Sequence, residues 1–289
     1  MHNFFGVLFD GLAYGSLLFL ISVGLSITLG LMGFINLAHG VFAMAGGYLL
    51  VTLMAQAGIG FLMALPIVFC AVALASLLFE RVLYRPLYKS TALNQVLLTV
   101  GIIFIAIAGA SYLWGPGQQP VLLPEALNGQ FTLFGIDLSR YRLFLMAVGA
   151  VITLALVFGL ERTRFGAMIR AAVDNQRTAA SMGIRVERVF QLTFALGSGL
   201  AGLGGALGVN VLGLDPNFAL KYLVYFLLVV VVGGPGSVIG TLLAALLLGV
   251  ADIAGKYYVP QFGTFVIYGA MILLLLLFPH GLLSRKGAK

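Results

Sequence analysis

Nine apolar blocks follow one another along this chain, most of them long enough for a helix to cross a bilayer, with short polar connectors between them. They cover residues 5–31, 39–55, 61–79, 93–114, 143–160, 189–209, 222–232, 238–253 and 264–278. A hydrocarbon core about 30 Å thick takes about 20 helical residues per crossing. The pattern therefore predicts an all-α polytopic membrane protein of eight or nine transmembrane helices, a single transmembrane domain over residues 1–289. Composition agrees: 9% of residues are charged and 61% hydrophobic, whereas a soluble domain carries about 25% charged residues. The block at 222–232 is too short to span, and Gly233-Gly234-Pro235-Gly236-Ser237 behind it breaks a helix. A second interruption surrounds Asn36, so broken or re-entrant elements are expected near Asn36 and near Pro235.

The formal charge is +7, which in a soluble chain would raise nucleic acid as a partner; here position matters more than sum. Twelve of the sixteen basic residues fall in three clusters: Arg81, Arg85 and Lys89; Arg162, Arg164, Arg170, Arg177, Arg185 and Arg188; and Arg285, Lys286 and Lys289. The positive-inside rule makes these segments, and the carboxyl terminus, cytoplasmic. The intervening segments 115–140 and 212–221 are then external, against the vote of Arg140 and Arg142. Membrane lipid is the partner this distribution implies, and nucleic acid is not.

Residues 161–188 form the most informative connector. The run from Ala167 to Met182 lacks Pro and Gly, is rich in Ala and stops at Gly183, so one short helix is expected. Its Arg170, Asp174 and Arg177 fall at i, i+4 and i+7 as one charged stripe, with Met168, Ala172, Ala179 and Met182 on its other sides. Such a helix lies on the membrane surface as a solvated connector or docks on a partner.

Chemistry-bearing motifs are missing. No GxxxxGK[ST] phosphate loop cradles ATP, no HExxH or CxxC occurs, and His2, His39 and His280 are too scattered for a metal site or a catalytic set. No catalytic residue, metal or bound cofactor is expected. Cys70, inside an apolar block, reads as a small buried hydrophobe. The carboxylates within apolar blocks are Asp10 and Asp252; an ion-coupled transporter would need one of them as its relay. The densest polar intrusion is GFINLAHG at residues 33–40, where Asn36, His39 and Gly40 either line a pathway or gate, or cap broken helix ends. Gly233, Gly234 and Ser237 have the same character, with a short cytoplasmic turn as the alternative. Small residues at Gly11 and Gly15, and at Gly197, Ala201 and Gly205, predict close helix contacts.

Four stretches carry a resemblance. GLSITLGLMGFINLAHGVFAMAGGYL (24–49), FERVLYRPLYKS (79–90), RFGAMIRAAVDNQRTAASMGI (164–184) and GGPGSVIGTLLAALLLG (233–249) resemble the permease subunits of Liv-type branched-chain amino acid ABC importers. The INxAHG form at 35–40 is similar to the shorter H-type subunit rather than the M-type. The resemblance implies a permease of the bacterial inner membrane working with a second, homologous permease, two cytoplasmic ATPases that hold the ATP, and a periplasmic binding protein. It makes Arg170, Asp174, Arg177 and Gly183 candidates for the ATPase-coupling contact. Relatives of this type also serve importers of urea and short amides, so the permease names a substrate class.

Overall fold

A computed structural model of the protein describes residues 2–34, 36–88, 90–133, 135–279 and 281–283. Ile35 of the polar intrusion, Lys89, His280, Arg285, Lys286 and Lys289 fall outside the described residues. The apolar blocks fold as helices in chain order: α1 (His2–Met32), α2 (His39–Ala55), α3 (Phe61–Phe79) and α4 (Ala92–Trp114). A π-helical turn, Glu80–Tyr84, and a 3-10 turn, Arg85–Leu87, prolong α3. An antiparallel hairpin of β1 (Gln130–Leu133) and β2 (Ile136–Ser139) lies in the connector after α4. The chain continues as α5 (Arg140–Arg162), α6 (Arg164–Asp174), α7 (Gln176–Ser181), α8 (Val186–Leu212), α9 (Phe218–Lys221), α10 (Leu223–Gly233), α11 (Val238–Tyr258) and α12 (Gly263–Leu277). Six helical stretches are long and apolar enough to cross a membrane, and three shorter ones, His39–Ala55, Phe218–Gly233 and Phe265–Leu277, are apolar as well. The protein is an all-α polytopic membrane protein.

Two helices make the centre. The apolar windows of α1 and α8 are 89% and 83% buried, whereas those of α4 and α5 are 22% and 17% buried. Lipid offers no hydrophobic drive for helices to associate, so close backbone packing must supply the attraction, and glycine permits it. A Cβ on Gly24 of α1 would overlap the Gly197 carbonyl of α8. Gly46 of α2 meets Gly202 in the same way, and Gly205 meets Ala43. On the other side of α1, Gly11 faces Val250 and Gly15 faces Ala245 and Leu246 of α11. The GxxxG spacing thus serves packing within the chain.

The same logic orders the layers. Helices α1 and α8 run antiparallel, since Gly24 meets Gly197 while Leu17 lies near Gly208. Helix α11 lies antiparallel on α1, and α3 lies antiparallel on α8, since Val72 meets Gly202 while Tyr84, beyond the end of α3, meets Phe194 nearer the start of α8. Each unit is therefore a long central helix, a shorter interrupted helix and a helix that packs on the other unit's centre. The two units run in opposite directions, the inverted arrangement that allows one half to rock against the other.

The outer surface is apolar. Met63, Leu74, Ile105, Leu154 and Leu276 are all exposed, as suits side chains that meet acyl chains. Cys70, expected to be buried, is exposed on the outward face of α3 at helical spacing from Ile67 and Leu74. In lipid an apolar side chain gains little by turning inward, so hydrophobicity does not report burial here.

These contacts make a differential prediction. Gly24→Ala should lower the thermal unfolding midpoint in detergent, because an added methyl at a closed backbone crossing costs about 1–3 kcal/mol. Gly109→Ala on α4, where nothing lies within 4 Å of an added Cβ, should leave it unchanged or raise it. Equal midpoints for the two variants would refute the packing account.

Candidate functional site

The first interruption starts where Gly33 adopts a left-handed φ of +59° and ends α1. The chain then turns back along α1. His39, the first residue of α2, is buried, and its Nε2 donates to the Ile21 carbonyl at 2.8 Å. Ile21 lies eleven residues before Met32, so α2 begins roughly 16 Å back along α1 at 1.5 Å per residue. A carbonyl only accepts, so Nε2 of His39 carries a proton. Asn36, also buried, faces the Tyr84 hydroxyl without forming an aligned hydrogen bond to it. Gly40 closes onto α9: an added Cβ would lie 3.0 Å from the Ala219 carbonyl oxygen.

A second re-entry approaches from the other end. Gly213, at φ +74°, stops α8. The following segment passes Gly47, where an added Cβ would touch Leu214 at 3.0 Å, and reaches Gly40 at Ala219. Two polar contacts hold it: Gln119 N donates to the Leu214 carbonyl at 2.9 Å, and the Tyr222 hydroxyl donates to the Leu212 carbonyl at 2.6 Å. The start of α2 and the α9–α10 segment therefore meet inside the bundle, with Phe226 of α10 also against Gly40. Helix N-termini carry partial positive charge, so this junction favours an anionic group such as a carboxylate. A cavity of about 560 Å³ opens beside the second re-entry, lined by Gln118, Gln119, Pro120, Asn210 and Gly213. Its amides offer donors and acceptors without net charge.

Gly233, Gly234 and Ser237 stand elsewhere. Gly234 and Gly236 take φ of +91° and +82° in the turn from α10 to α11. Ser237 Oγ accepts from Gly240 N at 3.0 Å and caps α11. Gly236 N donates to the Ser26 carbonyl at 2.9 Å, and Thr241 Oγ1 donates to Ser26 Oγ at 2.8 Å. The break expected near Pro235 is thus a turn fastened to α1, and the re-entry of this half lies earlier, at residues 213–222. His39 is tied to α1 at Ile21, whereas this turn is tied to it at Ser26 and Gly30, a different level of the helix.

The connector 161–188 corrects the sequence reading in two respects. Two helices stand where one was expected, because Asn175 leaves helical geometry (φ −159°) and its side chain caps α7 by accepting from Thr178 N at 3.0 Å. The stripe of Arg170, Asp174 and Arg177 is therefore divided. Arg170 turns inward, its guanidinium donating to the Leu160 carbonyl at the end of α5, while Asp174 and Arg177 are exposed. Ile169 and Ala172 of α6 pack on Leu31 of α1 and on Val189 and Phe190 of α8. The opposite surface, with Val173, Asp174, Arg177 and Met182, is uncovered. Gly183 ends α7 in the left-handed region at φ +84°, as expected of a terminating glycine.

The carboxylates separate by environment. Asp10 pairs with Arg142 near the start of α5, both partly exposed. Asp252 is wholly buried, and Lys256 Nζ donates to its Oδ2 at 2.5 Å. A third, Glu80, is 2% exposed and escapes sequence reasoning because it stands one residue beyond an apolar block, beside the basic residues Arg81 and Arg85. Among the described residues no group of three His, Cys, Asp or Glu could hold a metal.

Comparison with known proteins fits this architecture. The chain is 29% identical to the high-affinity branched-chain amino acid transport system permease protein BraD of Pseudomonas aeruginosa, over 99% of this chain and 97% of that protein. It is also 29% identical to the corresponding permease LivH of Escherichia coli, over 96% of this chain and 94% of that protein. The M-type permease LivM of Escherichia coli is 25% identical over 91% of this chain and 67% of its own length. No solved structure matches the chain. The family model described as the branched-chain amino acid transport system permease component matches residues 7–276, and the chain belongs to that family of transport permeases, which are not enzymes.

Proposed function

We propose that this chain is the H-type membrane subunit of an ATP-binding-cassette importer that moves branched-chain or related small amino acids across the bacterial inner membrane. The observation that carries the reading is the meeting of two half-helices at Gly40 and Ala219 inside two inverted units. A solute held at that junction can be released to either side when the units rock. The absence of any phosphate loop from the sequence assigns ATP to partner subunits.

Sidedness follows the charges. The end of the bundle that carries α6 and α7 also receives the C-terminus of α1, the N-terminus of α8 and Tyr88 beyond α3, and with them Arg81, Arg85 and the basic residues from Arg162 to Arg188. That end is cytoplasmic. Residues 281–283, which pack against the end of α10 and the turn after it, would lie on the same side, and the hairpin connector, the amide-lined cavity and the Asp10–Arg142 pair would be external. A periplasmic binding protein would deliver the solute to that cavity. A second, M-type permease completes the membrane portion, and two ATPases dock at the exposed surface of α6 and α7, with residues 161–188 as the coupling segment. A zwitterion suits the junction: the helix N-termini face its carboxylate and the apolar walls its side chain. Urea or a short amide would use the same path without needing a charged subsite.

An ion-coupled mechanism would use Asp10 or Asp252 as relay, yet Arg142 and Lys256 already pair with them. Reconstituted with its partners, the importer should accumulate leucine only with hydrolysable ATP. Asp252→Asn should keep that dependence, whereas accumulation driven by an ion gradient in the absence of ATP would reject the proposal.

Two substitutions separate coupling from packing. Arg177→Glu should reduce ATPase co-purification and uptake about tenfold, equivalent to roughly 1.4 kcal/mol, with an unchanged unfolding midpoint. Arg170→Ala should instead lower the midpoint, because the Leu160 carbonyl loses a charge-assisted hydrogen bond worth about 1.5–3 kcal/mol. Uptake unaffected by Arg177→Glu would reduce α7 to a connector. For the gate, His39→Ala should slow transport more than it impairs assembly; equal loss of both would make His39 a purely structural cap.

A further inference from the structure

The cavity beside the second re-entry is built on the end of the central helix α8. Residues 209–213, the last turn of α8 and the glycine that stops it, form one wall, and Gln118, Gln119 and Pro120 of the α4–α5 connector form the other. The last four carbonyls of a helix have no partner within it and carry partial negative charge. Of these four, Val209 accepts from Gly213 N at 3.1 Å and Leu212 from the Tyr222 hydroxyl at 2.6 Å. The Asn210 and Val211 carbonyls accept no hydrogen bond from the described residues.

The side chains of this cavity are neutral and leave oxygens over. Gln119 uses its Nε2 on the Trp114 and Gly117 carbonyls, at 3.1 and 3.3 Å, so its Oε1, an acceptor, is the atom left. Asn210 turns its amide to the Tyr141 hydroxyl. That hydroxyl already donates its proton to the Leu207 carbonyl, so it can only accept from Asn210 Nδ2, and Asn210 Oδ1 is left over in turn. Gln118 Nε2 lies 2.7 Å from the point where a Cβ on Gly213 would stand, and its amide forms no hydrogen bond with the described residues. No Lys or Arg is among the lining residues; Lys221 of the second re-entry lies over the Tyr222 ring at 5.1 Å. Acceptors therefore outnumber donors around the cavity. A carboxylate would face bare oxygens, and a hydrocarbon would leave those oxygens desolvated and unmatched. A group that carries both positive charge and N–H donors matches them.

We propose that this cavity binds a primary ammonium group, with the Asn210 and Val211 carbonyls and the side-chain oxygens of Gln119 and Asn210 as acceptors. The binding claim stands on the cavity itself; identifying the ammonium as that of a transported amino acid rests on the importer reading. On that reading the cavity is an outer holding site. The junction at Gly40 lies further in, since Leu214 touches Gly47, and Gly40 stands roughly 10 Å from Gly47 along α2. The two sites would then take opposite ends of a zwitterion in succession, the cavity its ammonium and the junction its carboxylate.

The test follows thermal unfolding of the full chain in detergent, at ionic strength held constant with choline chloride. Isobutylammonium chloride, sodium chloride, isobutyramide and choline isobutyrate are titrated separately. At saturation the amine should raise the midpoint by at least about 2 °C, and by more than each of the other three. Gln118→Glu should move the amine titration about tenfold to lower concentration, and Gln118→Lys about tenfold to higher. Gln176→Glu, the same charge change at an exposed position by the other end of α8, should leave the titration in place. The site is rejected if the amine does no better than choline, or if the two Gln118 variants titrate as the unmodified protein does. A response to Gln176→Glu equal to that of Gln118→Glu would also reject it, because the amine would then be sensing net charge. Sodium, the amide or the carboxylate matching the amine would overturn the ammonium assignment. Absence of ATP-dependent leucine uptake by the reconstituted importer, with the amine response intact, would reject the importer reading and leave the site standing.

Discussion

Backbone touching backbone where α1 crosses α8 is the contact on which the rest of the architecture depends. Gly24 and Gly197 each present a face on which a Cβ would collide with the other's main chain. In lipid this proximity is a source of attraction in its own right, since dispersion falls off steeply with distance and there is no aqueous alternative to escape from. Once α1 and α8 are clasped, each recruits a helix from the other unit, α11 through Gly11 and Gly15 and α3 through Gly199 and Gly202. The inverted pair is thus fastened at its centre and left free at its periphery, where α4 and α5 show most of their surface to lipid.

That clasp explains why unwound backbone is tolerated inside the bundle. A peptide group that leaves a helix within the membrane must find a partner in protein. The two re-entries run alongside the central helices, which stabilise them with side-chain bonds: His39 to the Ile21 carbonyl, and Tyr222 to the Leu212 carbonyl. Glu80 shows the opposite case: at the π-helical turn its Oε2 has no hydrogen-bond partner among the described residues.

At the basic end, α6 behaves as a wedge. Its apolar side packs on α1 and α8, while its continuation into α7 is largely uncovered. Force applied to α7 would reach the central pair through Ile169 and Ala172 as a rigid displacement, because packed interfaces have discrete arrangements and do not deform continuously. Arg170 strengthens the link by fastening α6 to the end of α5. The charge that looked like part of a docking stripe therefore does internal duty, whereas Asp174 and Arg177 are exposed.

Much of this was legible in the residues alone. Apolar block length fixed the helices, since a bilayer thickness translates directly into a number of residues, and the polar intrusion at 33–40 marked a break because no continuous apolar helix would carry it. Gly183 announced a helix end. What the sequence determined by itself was everything set by local backbone preference and by the thickness of the solvent. Tertiary structure alone decided which way each side chain faces and which groups meet. Lipid removes the usual equation of apolar with buried, so Cys70 turned outward unannounced. Asn175 broke a helix whose propensity was favourable because its side chain found a better partner in Thr178 N. Ser26 and Thr241, 215 positions apart, come within hydrogen-bond distance only because α11 packs on α1. Partners so distant in the chain leave no periodic trace, which is why their meeting is written in the fold and not in the order of residues.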